Sequence, residues 1–297
     1  MSKSPDLIPL TSLDQSRENP MIWDGEEAAQ GVFLDTGSDS DPLALLGTPT
    51  LRLPAQPRLP IDFKPGPLLR EKLESLRRVT RQAADGDEQV PAIALEDLDA
   101  DSLQALREML GEGEVSGELS LDDVHYQLKE SVLTGIWLLE GSDGSLQLEA
   151  GPVPAVVSRA AASLRSAPVQ LPPGAPGIMN GLAVLAEINE HAAAWHPGIP
   201  DNRILNFTLM PMSEEDQQLL ITTLGRAELV LDSGGFGNCR VMATTVRHVW
   251  AVQYVNAMGN TILDTIEIGR IPDAAVAARQ DFEDSAERLD EILEAYL

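Results

Sequence analysis

Cysteine is almost missing from this chain: Cys239 is alone among 297 residues. One thiol excludes an intramolecular disulfide, a CxxC redox pair and an all-cysteine metal or iron–sulfur site built within one chain. Positive charge is scarce too, with 21 Lys plus Arg against 47 Asp plus Glu and a formal net charge of −26. Such a field repels phosphate backbones and anionic lipid, so no nucleic-acid partner and no membrane-surface role is expected. A basic partner would be attracted. No apolar run approaches the roughly 18 residues of a membrane helix, and the segment after Met1-Ser2-Lys3-Ser4-Pro5 has no apolar core of a leader. The expectation is a soluble, cytoplasmic protein.

Catalytic signatures are equally sparse. There are four histidines: His125, His191, His196 and His248. His191 and His196 are spaced poorly for a shared metal, and His125 follows an acidic turn. The glycine-rich stretch Leu231 to Gly237 lacks the lysine of a P-loop and the helix that follows a dinucleotide fingerprint. No metal, nucleotide or other cofactor is therefore expected. One arrangement stays open as an alternative, a thiol- or metal-dependent modifying enzyme using Cys239 with His248, which would need a third, orienting group.

What the chain does contain is an internal echo. Leu110-Gly111-Glu112-Gly113-Glu114-Val115 returns as Leu224-Gly225-Arg226-Ala227-Glu228-Leu229. Gly135-Ile136-Trp137 returns as His248-Val249-Trp250, and Gly151-Pro152-Val153-Pro154 as Gly269-Arg270-Ile271-Pro272. Offsets of about 113 to 118 residues imply two domain-sized copies. The expected fold is α+β with two tandem duplicated units, each helix–strand–helix plus a three-stranded antiparallel meander, and a C-terminal helix.

The boundaries follow from composition. Residues 1–65 are expected to form an acidic, Pro-rich, largely disordered arm in which only Met21-Ile22-Trp23 and Gly31-Val32-Phe33-Leu34 stand out. Residues 66–162 form the first unit, 163–176 a Pro-rich, semi-rigid linker, and 177–297 the second unit. The strand-like runs are Glu114–Ser120, Tyr126–Glu140 and Ser145–Ala150, then Glu228–Asp232, Cys239–Asn256 and Thr261–Ile268. In the last helix Phe282, Leu289, Ile292, Leu293 and Tyr296 share a stripe, expected to dock on the second unit. Arg247 and His248, read as part of a strand beside Trp250, present either a cationic–aromatic interface or an ordinary exposed ladder with Trp250 in the core.

Four motifs in order, Leu110 to Ser116, Gly177-Ile178-Met179-Asn180-Gly181-Leu182, Arg247 to Trp250 and Glu267 to Pro272, resemble the hydrogenase expression/formation proteins of the HupH/HyaF/HoxQ type. The resemblance spans roughly residues 65 to 297 and leaves the arm unmatched. It implies a maturation chaperone for the iron–sulfur-bearing small subunit of an uptake nickel–iron hydrogenase, with a thioredoxin-like companion of the HyaE/HoxO type. It brings no catalytic residues. Its motif positions are candidate fold or interface positions: Glu112, Glu114, Met179, Asn180 and Gly181, beside Arg247 and His248. An adaptor scaffold among maturation proteins is a further alternative.

Overall fold

Pro67 suits the first turn of a helix because its missing N–H has no intrahelical partner to lose there. In the computed structural model, which describes residues 64–86, 90–234, 238–256 and 260–296, α1 (Pro67–Ala84) starts at that proline and buries Leu69, Leu73, Leu76 and Val79. A two-residue strand, β1 (Ile93–Ala94), leads to α2 (Ala100–Leu110). Asp99 caps α2 by accepting from Ser102 N at 2.8 Å. An antiparallel meander follows: β2 (Val115–Leu121), β3 (Val124–Glu130), β4 (Ile136–Gly141) and β5 (Leu146–Ala150). After α3 (Ala155–Ser163) the order returns as α4 (Gly181–Ala194), β6 (Arg203–Asn206), α5 (Glu214–Leu224), β7 (Arg226–Ser233), β8 (Asn238–Thr244), β9 (Val249–Val255) and β10 (Thr261–Ile268). A 3₁₀ turn at Asp273–Ala275 and α6 (Arg279–Tyr296) close the chain.

The ten strands form one sheet in the order β1-β5-β4-β3-β2-β7-β8-β9-β10-β6. The halves therefore join strand to strand, β2 against β7, with Val115 opposite Ser233, Gly117 opposite Leu231 and Leu119 opposite Leu229. One face carries two apolar cores. Leu73, Leu76, Leu106 and Ile136 lie in the first, beneath α1 and α2. The second holds Leu185, Ile188, Leu220, Ile266 and Ile268 beneath α4 and α5. A third core, on the opposite face, spans both halves through Leu119, Leu128, Trp137, Leu229, Val241 and Trp250, packed against Val156 and Val157 of α3 and Ala275 of the 3₁₀ turn.

Several expectations need correction. Each meander has four strands, not three, because the runs Tyr126–Glu140 and Cys239–Asn256 each hide a turn. Ser131 Oγ accepts from Leu133 N at 3.1 Å, and Glu130 Oε1 accepts from Gly135 N at 2.9 Å. In the other half Thr244 Oγ1 accepts from Val246 N at 3.1 Å and donates to Val249 O at 2.9 Å. Side chains thus satisfy turn backbone that a longer strand would pair. α3 was not anticipated. α6 packs on the first half instead of the second: Phe282, Leu289 and Leu293 join the core of α1, while Arg77 donates to Asp290 Oδ1 at 2.6 Å and Arg81 to Oδ2 at 2.8 Å. The linker is clasped, with Val169 buried and its N and O bonded to the Asn189 side chain at 2.7 and 2.9 Å. The arm's two apolar islands and the Tyr296 side chain lie outside the described residues.

Glu130 makes its turn sensitive to pH. Burial pushes its carboxyl from an ordinary 4.5 up to about 7, against the opposing Gly135 N–H, and Glu114 and Asp281 push the same way. The native state holds a proton that the unfolded chain releases, so this stabilising contribution is present below about pH 4.5 and lost as pH rises through about 7. Glu130→Gln keeps an acceptor for Gly135 without the charge. Thermal melts of this variant should show a higher melting temperature than the parent at about pH 8 and a flatter profile between the two pKa values. An unchanged profile would remove Glu130 as the titrating group.

Candidate binding site

The motif Gly177 to Gly181 wraps the start of α5. Asp216, wholly buried, accepts from Met179 N at 2.8 Å, Asn180 N at 3.1 Å, Gly181 N at 2.8 Å and Ser213 N at 3.1 Å. Burial alone would raise its pKa, but these backbone donors outweigh it and hold the carboxyl below its usual range. Ser213 caps α5 in return, accepting from Asp216 N at 3.0 Å. Asn180 donates from Nδ2 to Pro211 O at 2.7 Å. Gly177 has φ of +91°, and any Cβ there would meet Glu215; one on Gly181 would lie 2.9 Å from Asp216 Oδ1. The motif is thus a pinned loop, and Met179 at its apex is 72 % exposed.

Arg247 and His248 sit in the turn between β8 and β9, not in a strand. Arg247 N donates to Arg165 O at 2.8 Å, and its guanidinium reaches Leu164 O at 3.3 Å. His248 adopts φ of +67°, in the place of Gly135 at +82° in the first half. The two correspond in bonding also: Gly151 N donates to Gly135 O, and Gly269 N to His248 O. The imidazole lies against Trp195, ring centroids 4.1 Å apart. Burial and the adjacent Arg247 hold it below its usual pKa. Both side chains are occupied within the chain. Cys239 stands at the far end of β8 on the third core, about 16 Å away by five strand steps. Burial pushes its thiol up to about 11. The proposed cysteine–histidine pair is therefore not assembled.

Glu112 and Glu114 lie at the junction of α2 and β2, where Glu112 pairs with Lys129 at 3.3 Å. They border a trough that sequence reasoning did not single out. Between the two helical layers, the helix-bearing face of the sheet is exposed along β3 and β2 at His125, Gln127, Lys129, Ser116 and Glu118, with the row Lys129–Ser116–Asp232 reaching β7, where Val230 is already buried in the second core. At one end an open cavity of about 450 Å³ is lined by Glu118, Ser120, His125, Arg226, Glu228 and Val230. His125 Nδ1 lies 3.2 Å from Ser120 Oγ. The available signal was the alternation of Ser116, Glu118 and Ser120 with apolar Val115, Leu119 and Leu121. The hydrogen bonds and ion pairs above link none of the three candidate groups to another. Among the described residues, no three His, Cys, Asp or Glu side chains are placed to hold a metal ion, and no helix is long and apolar enough to cross a membrane.

Comparison with known proteins bears on this arrangement. Residues 178–296 match the family described as HupH hydrogenase expression protein, C-terminal conserved region. The "Hydrogenase expression/formation protein HupH" of Rhizobium leguminosarum bv. viciae is 37 % identical over 265 residues, covering 80 % of this chain and 93 % of that protein. The chain belongs to the hydrogenase expression/formation protein family. Within the family, the HupH protein of Rhodobacter capsulatus is 41 % identical over 67 % of this chain and 71 % of its own. The "Hydrogenase-1 operon protein HyaF" of Escherichia coli K12 is 33 % identical over 69 % of this chain and 73 % of its own. The family match takes in α4 through α6, the pinned loop from Ile178 onward and the Arg247–His248 turn.

Proposed function

We propose that this protein is a maturation chaperone, acting in the cytoplasm, that holds the iron–sulfur small subunit of an uptake nickel–iron hydrogenase by surface binding, not catalysis. Family relatives carry names of hydrogenase expression and formation, which supports the process. The observation that carries binding is the trough, an exposed polar floor on β2 and β3 that ends in an open cavity of about 450 Å³ lined from β2, β3 and β7. A surface of that kind suits a segment of another protein. The buried thiol supports the client: thiolates, not thiols, ligate iron, and burial that pushes Cys239 up to about 11 makes it a poor competitor for a cluster at neutral pH. The net charge of −26 favours basic regions of a client. A thioredoxin-like HyaE/HoxO-type partner fits the same scheme as a co-chaperone.

We also read the two halves as copies of one unit. The repeated order of elements, the β2–β7 joint about Gly117 and Leu231, and the matched φ of Gly135 and His248 support that reading. Affinity isolation of the tagged full chain, from cells expressing the hydrogenase with and without its large subunit, tests the function. The small subunit should co-purify, and in greater amount when the large subunit is missing. Its absence from both isolates would overturn the assignment.

A further inference from the structure

Among the described residues five large apolar side chains are exposed: Leu171, Met179, Ile204, Leu209 and Ile262. All lie in the linker or the second half. Three of them lie on segments that hydrogen bonds tie to one another in that half. Asn180 Nδ2 bonds Pro211 O at 2.7 Å, which sets Met179 beside the segment carrying Leu209. Phe207 N donates to Asp264 O at 2.9 Å, and Asp264 N to Thr208 Oγ1 at 3.0 Å, which bring Leu209 alongside the start of β10, where Ile262 lies. Met179 is 72 %, Leu209 82 % and Ile262 59 % exposed. Beneath them Met210 and Met212 pack, half-buried, on the core of α4 and α5.

We propose that this patch is the docking surface for an apolar segment flanked by Lys or Arg on the client, with Met179 as its anchor. The proposal rests on the chaperone reading and adds a second contact surface, apart from the trough, that grips an apolar segment of the client. The loop is held in advance: four backbone donors tie Met179, Asn180, Gly181 and Ser213 to buried Asp216. A fixed backbone under an exposed side chain lowers the ordering cost of binding. Methionine suits the role because its flexible thioether adapts to varied apolar partners. The charge of the occupant follows from the rim. Glu214 and Glu215 are exposed on the first turn of α5, and Glu215 lies directly against Gly177 of the loop. A second copy of the chain is the wrong occupant, since each copy brings a net charge of −26 to the contact.

The test uses the full chain co-expressed with the hydrogenase small subunit. Met179→Asp combined with Leu209→Asp should lower capture roughly tenfold or more, as loss of an anchor does, with an unchanged melting temperature because both side chains are exposed. Met179→Leu should retain capture. Glu214→Lys should weaken capture and flatten its salt dependence. A photo-crosslinking residue at position 179 should join to the small subunit. Undiminished capture by the folded double variant, or capture without a crosslink from position 179, overturns the surface and leaves the chaperone reading standing. Failure of the parent chain to capture the small subunit at all overturns both. A parent dimer dissolved by the double variant would make a second copy the occupant and overturn the proposal.

Discussion

Replacing Asp216 with asparagine should destabilise the protein by about 1–3 kcal/mol, the scale of a buried backbone donor left without its acceptor. The carboxylate is an acceptor only, and four backbone N–H groups converge on its two oxygens. An asparagine turns one of those oxygens into an NH₂ group that faces donors; with the amide nitrogen in the place of Oδ2, Ser213 N loses its acceptor while Asn180 N keeps Oδ1. Since a chain of this size shifts by roughly 2–4 °C per kcal/mol, the melting temperature should fall by about 2–12 °C. The pH dependence follows from the direction of the shift. The folded pKa lies below the unfolded value, so the contribution is present above the ordinary carboxylate pKa and is lost as pH falls through the lower, folded value. Acid titration of melting temperature in the parent and in Asp216→Asn measures this. Parallel curves with a difference below about 1 kcal/mol would mean that the loop is held by packing alone.

The tie from the loop to Asp216 spans 35 to 37 residues, which is why it could not be read along the chain. Local signals did read true. Asp99 and Ser213 cap their helices, residue types suited to that position, and Gly111 and Gly225 end those helices at φ of +61° and +60°. The echo Leu110–Val115 and Leu224–Leu229 marks the same helix-to-strand passage in both halves. Failures came where tertiary contacts decide. The turn at Glu130–Gly135 contains no proline and one glycine, and a glutamate, a serine and a buried leucine satisfy it. The turn at Thr245–His248 uses no glycine at all, because His248 tolerates the left-handed conformation while lying on Trp195. Nothing in an amphipathic stripe tells which body it covers, so α6 was placed on the wrong half; the pairing of Arg77 and Arg81 with Asp290 selects α1. The trough escaped for a related reason. Glu118, His125, Arg226 and Glu228 come from β2, β3 and β7, and only the antiparallel joint of the halves brings them to one cavity.

The echo that first pairs Trp137 with Trp250 also sets up the second large effect. Both side chains are buried in the core shared by the two halves, at 0 % and 2 % exposure. Truncating either to alanine should cost about 3–5 kcal/mol from lost burial and the cavity left behind. Conservative replacement should separate them. Trp137 Nε1 donates to Gly151 O at 3.0 Å, so Trp137→Phe removes both bulk and a buried hydrogen bond, leaving a carbonyl without that donor. Trp250 Nε1 meets no acceptor among the described residues, so Trp250→Phe removes bulk and relieves an unmatched donor. Trp137→Phe should therefore be the more destabilising by about 1–2 kcal/mol, or roughly 2–8 °C in melting temperature. The comparison is made by urea and thermal unfolding of the two variants in one buffer. Equal losses would show that Gly151 finds another donor in Trp137→Phe, and a larger loss in Trp250→Phe would show that Trp250 Nε1 is satisfied in solution. Either outcome would refute the assignment of the stronger anchor to the first half, whereas the expected order follows from one hydrogen bond present in one copy of the repeated tryptophan and missing from the other.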